Sequence, residues 1–100
     1  TENGTVFTNT GAAGAVVFTL PALAPNMGFG FIVVANQSVT VASAAGDDMV
    51  VFNDASADSV AFSTANEKIG GHVYVFTNNG GTKWHVINRS AGANTVTVAT

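Results

Sequence analysis

The chain has no cysteine, which removes disulfides, thiolate metal sites and thiol nucleophiles together. It also has little charge. Three Lys or Arg and six Asp or Glu are spread over 100 residues, where soluble domains carry about 25% charged residues. Lys68, Lys83 and Arg89 are too few and too scattered to track a phosphate backbone, so no nucleic-acid partner is expected. Long apolar runs are missing as well. The longest, 27–35, is nine residues including its glycines, against the ~20 of a membrane-spanning helix, and no membrane partner is expected. Thr1-Glu2-Asn3-Gly4 shows no basic region leading into a hydrophobic stretch, so no targeting segment is read there.

What is present is 47% hydrophobic, kept wet by Thr, Ser, Asn and Gly. The length gives one domain, 1–100. A chain this short buries only roughly 60–70% of its unfolded surface when it folds alone. Without disulfides, oligomer formation is the remaining common route to extra stability.

Strand signals are dense. Segments 5–9, 15–20, 28–35, 38–42, 49–53, 59–62, 72–77, 83–88 and 94–99 are rich in Val, Phe, Thr and Ile, which suit a pleated sheet. Turn chemistry separates them, as at Thr10-Gly11, Gly46-Asp47, Gly70-Gly71 and 78–81. No window sustains a 3.6-residue apolar period, and 63–68 offers one helical turn at most. The spacing predicts an all-β fold: an antiparallel β-sandwich, jelly-roll-like, of about eight or nine short strands.

Several of these strands are apolar on both sides. In 28–35, Phe29, Phe31 and Val33 alternate with Ile32 and Val34. In the hairpin 72–88, Tyr74 and Phe76 alternate with Val73 and Val75, and Trp84 and Val86 with His85 and Ile87. One face fills the core; the other is expected to meet a second subunit or the chain's own N-terminal strand. Parity does not say which is which. The aromatic residues of these strands, Phe29, Phe31, Tyr74, Phe76 and Trp84, are the candidate anchors of an interface with a partner.

Polar chemistry is sparse. If 78–82 closes a hairpin with Thr77 opposite Lys83, His72 falls opposite Asn88 and His85 opposite Val75, on different faces. If the register slips by one, the imidazoles share a face but lie about 13 Å apart. Neither arrangement is a two-histidine metal site, and a structural or interface role is expected for both. Asp47, Asp48, Asp54 and Asp58 have no calcium-loop spacing and read as turn residues, with a weak Ca²⁺ site between loops as the alternative. No nucleophile motif or phosphate loop occurs. Trp84, the lone tryptophan, reads as a core or interface anchor, with a sugar platform as the alternative. No enzyme activity, metal or cofactor is expected.

The stretch 14–34, GAVVFTLPALAPNMGFGFIVV, resembles a pattern of small bacteriophage virion proteins. In that pattern a Val/Thr strand ending in Leu-Pro-Ala leads through an Ala-rich loop into an aromatic–aliphatic strand. AGDDMV at 45–50, GHVYVF at 71–76, GTKWHV at 81–86 and TVTV at 95–98 are similar and in the same order. The resemblance implies a β-sandwich subunit on the outer surface of a virion: a capsid decoration (cement) protein. It implies a homotrimer whose partner is the major capsid protein and whose role is to stabilise the head. The same texture in tail-fibre and head-fibre tips implies the alternative, a receptor-binding module recognising host glycan through exposed aromatics led by Trp84. Decoration proteins often carry a polar N-terminal arm. Only Thr1 to Gly4 precede the first strand, so a short or lost arm is expected.

Overall fold

A computed structural model describes residues 4–90, 92 and 94–100; Thr1 to Asn3, where the short arm is expected, lie outside the described residues. The described residues form an all-β sandwich of ten strands, β1 Val6–Thr8, β2 Val16–Thr19, β3 Gly28–Ile32, β4 Val39–Ala42, β5 Met49–Val51, β6 Asp54–Ala57, β7 Ser59–Phe62, β8 His72–Thr77, β9 Trp84–Asn88 and β10 Thr97–Ala99. A six-stranded sheet in the order β1-β3-β8-β9-β5-β6 packs on a four-stranded sheet in the order β10-β7-β4-β2. No helix occurs among the described residues, and 63–68 forms turns.

The sheets are mixed, which departs from the antiparallel, jelly-roll-like pairing expected. β1 runs parallel to β3, β2 to β4 and β5 to β9. The first four strands alternate between sheets. β3 returns beside β1 and β4 beside β2, and such a return is parallel when the path winds in one sense. β6 is a tenth element beyond the nine segments. The turn joining it to β5 has Phe52 and Asn53 in the left-handed region, at φ 45° and 64°, where Asn-Gly or Asp-Gly would be the usual signal.

Alternation sorts the side chains. Phe29 and Phe31 of β3, Val73 and Val75 of β8, Trp84 of β9 and Met49 of β5 point inward. They meet Val39 and Val41 of β4 and Val60 and Phe62 of β7. Trp84 and Met49 are fully buried. The β8–β9 register sets this: Thr77 pairs with Trp84, not Lys83. The one-residue shift turns the indole into the core, whereas the expected register would have placed it outside with Tyr74 and Phe76.

Two buried polar side chains pin the ends of β3. Asn9 Oδ1 accepts from the Val34 and Ala35 amides at 2.8 and 2.9 Å, and its Nδ2 donates to the Ala35 carbonyl at 3.1 Å. Thr77 Oγ1 accepts from the Met27 amide at 2.9 Å and donates to the Ala24 carbonyl at 2.6 Å. On one side the sandwich is laced shut: the Asp58 amide reaches the Ala99 carbonyl at 2.7 Å, and Thr100 Oγ1 reaches Asp54 at 3.1 Å. On the other, edge strands β1 and β2 meet through Phe7 and Phe18, with ring centroids 5.8 Å apart.

Candidate functional site

The outer face of the six-stranded sheet carries the surplus apolar surface. Strand registers arrange it in rows. Val6, Gly30, Tyr74 and Ile87 form one; Gly28, Phe76, His85 and Val50 form the next; Thr8, Ile32 and His72 form a third. No Asp or Glu stands in these rows.

Its centre is a run of rings. Tyr74 stacks on Phe76 at 6.0 Å and 25° between planes, and Phe76 on His85 at 5.4 Å and 29°. The Arg89 guanidinium lies 4.5 Å from the Tyr74 centroid, a cation–π contact. The rings lie along the sheet because β3 offers glycine beneath them. A Cβ on Gly28 would sit 2.8 Å from Tyr74 Cζ, and one on Gly30 would meet Val6 at 3.1 Å and His72 at 3.6 Å. The result is a half-buried aromatic shelf flanked by exposed Val6 and Ile87.

The candidate anchors divide between the faces. Tyr74 and Phe76 stand on the shelf, while Phe29, Phe31 and Trp84 are 5%, 3% and 0% exposed. All three belong to the core; Trp84 is enclosed, and what remains of Phe29 and Phe31 at the surface lines a cleft between β1 and β2. Burial also removes Trp84 as a sugar platform. The observed register puts His72 and His85 on one face, four residues apart along the strands, and no cluster of three or more metal-ligating groups occurs among the described residues. Two of the aspartates act on the backbone: Asp47 accepts from the Leu23 amide at 3.2 Å and Asp54 from the Ser56 amide at 2.9 Å.

The opposite face, on the four-stranded sheet, has another texture. Its rows are Val17, Thr40, Ala61 and Thr97, then Thr19, Ala42, Ser59 and Ala99. They carry hydroxyls and methyls, with no ring and no charge. An apolar cleft of about 230 Å³, lined by Phe7, Leu20, Met27, Phe29 and Phe31 with Thr19 and Pro21, opens on the β1–β2 side.

No family model, curated protein or solved structure matches the chain.

Proposed function

We propose that the chain is a bacteriophage capsid decoration protein: a homotrimer, closed through the aromatic shelf, that binds the outer capsid surface and stabilises the head. The observation that carries the reading is the ring row Tyr74–Phe76–His85 on a sheet face left without a covering layer. A subunit that buried only one side of this sheet would leave its aromatic side in water, and patches of that kind mark association surfaces. The Thr, Ser and Ala rows of the other sheet suit the shell. Short hydroxyl side chains hydrogen-bond to a partner at small entropic cost. The mechanism is passive clamping, with no bond made or broken. The receptor-tip alternative relied first on Trp84, which the core occupies.

Two measurements test this. Light scattering at micromolar concentration should return three times the 10.1 kDa subunit mass; a monomer would remove the trimer. Purified heads lacking decoration should then take up the protein and resist heat or osmotic shock better. Failure to bind heads by a trimeric protein would remove the capsid role and leave the trimer standing.

A further inference from the structure

The β5–β6 turn is built against its local preference. Both central positions of such a hairpin turn favour Asn, Asp or Gly, and a bulky side chain at positive φ is uncommon. Phe52 nonetheless holds φ 45°. Its ring is 59% exposed and is not among the side chains packed on the core. A strained backbone that displays an unpacked aromatic ring points to a contact outside the subunit.

The molecule has a recess suited to that ring. The cleft between β1 and β2 is walled by Phe7, Leu20, Met27, Phe29 and Phe31, and its volume of about 230 Å³ is on the scale of one phenyl group with its stem. Neither the lining nor the Phe52-Asn53 tip carries a charge, so seating the tip desolvates no ion. This matters for a chain of net charge −3, whose copies repel one another wherever charges meet. The tip and the recess also belong to opposite edges of one sheet, which begins at β1 and ends at β6.

We infer that Phe52 of one copy inserts into the Phe7–Leu20–Met27 cleft of the next. The occupant is thus a second copy of this chain, joined head to tail. A contact between two different patches closes into a ring or runs on as a filament; closure at three rests on the homotrimer proposed above. A buried Phe contributes about 150–250 Å², against the roughly 800 Å² per partner of a stable interface. The knob therefore sets register and direction, and the aromatic shelf supplies most of the remaining area.

Two surface variants and their mixture test the junction. Phe52→Gly relieves the positive φ while removing the ring, so the subunit should melt no lower than wild type. Its self-association should nevertheless weaken on the order of tenfold or more. Pro21→Arg, at the exposed rim of the cleft, should weaken it similarly by blocking the recess. A mixture of the two should recover dimers, because one copy keeps a free recess and the other a free knob. If wild type is trimeric and F52G trimerises equally well, this junction is wrong and the trimer stands. If the two variants fail to complement, the head-to-tail sense is wrong. If wild type itself is monomeric, trimer and junction fall together.

Discussion

Tyr74 lies across the backbone of Gly28, so close that a Cβ there would stand 2.8 Å from Cζ of its ring. The glycine is what lets the phenol ring lie along the sheet. Gly28→Ala should leave the fold intact, because the displaced group is the far end of a side chain, and should cost about 1–2 kcal/mol. Lifting the ring should also break the flat run with Phe76 and weaken self-association. Urea denaturation and light scattering on one preparation read both effects.

Asn9 holds three backbone groups of residues 34 and 35 from a buried position. Asn9→Ala strands two amides, while the Ala35 carbonyl keeps the Gln37 amide at 2.7 Å; each unsatisfied group costs about 1–3 kcal/mol where water does not replace the bond. A total loss of roughly 2–4 kcal/mol is expected. The urea midpoint should fall without a change in slope. Asn9→Asp keeps the acceptor for both amides, loses the donor to Ala35 and should cost less at neutral pH than Asn9→Ala.

Trp84 is fully buried, and its Nε1 has no hydrogen-bond partner among the described residues. Trp84→Phe should therefore be mild, about 1 kcal/mol, because the smaller ring removes an unpaired donor as it opens a small void. Trp84→Ala should cost about 3–5 kcal/mol. As the lone tryptophan, Trp84 should emit in the blue and resist acrylamide until the chain unfolds. Red, readily quenched emission from native protein would contradict its placement.

Assembly should be nearly indifferent to salt. The shelf is rings and aliphatics with one guanidinium already over Tyr74, so there are few ion pairs to screen. Raising salt from about 0.05 to about 0.5 M should change the self-association constant by less than about threefold. A steep loss by sedimentation would point to an ionic interface elsewhere.

How far the fold was legible follows from the kind of signal each element carries. β8 was readable to the residue, because His72 to Thr77 alternates strictly between bracketing glycines and asparagines. β6 was hidden, since Phe52 gives no sign of a left-handed turn and Asn53 has no Gly after it to complete the usual pair. The β8–β9 register slipped by one because loop length alone does not fix it. Asn78 Oδ1 gathers the Gly80 and Gly81 amides at 2.9 and 3.0 Å, and that geometry accommodates one more residue. The surplus apolar face was visible as parity in 28–35 and 72–88. Parity is symmetric, however, and only the facing sheet decided that Phe29 and Trp84 go in while Tyr74 and Phe76 stay out.

The winding of the first four strands has a consequence for synthesis. β3 finds its antiparallel neighbour only in β8, and β5 its parallel neighbour only in β9. The middle of the larger sheet is thus the last hairpin of the chain but for β10. Loop closure over such distances slows folding. A nascent chain halted before β8 and β9 carries Phe29, Phe31 and Met49 on strands that lack the neighbours joining them into one sheet. Ribosome-bound fragments of increasing length should stay open to protease until that hairpin clears the exit tunnel, then become protected in a single step.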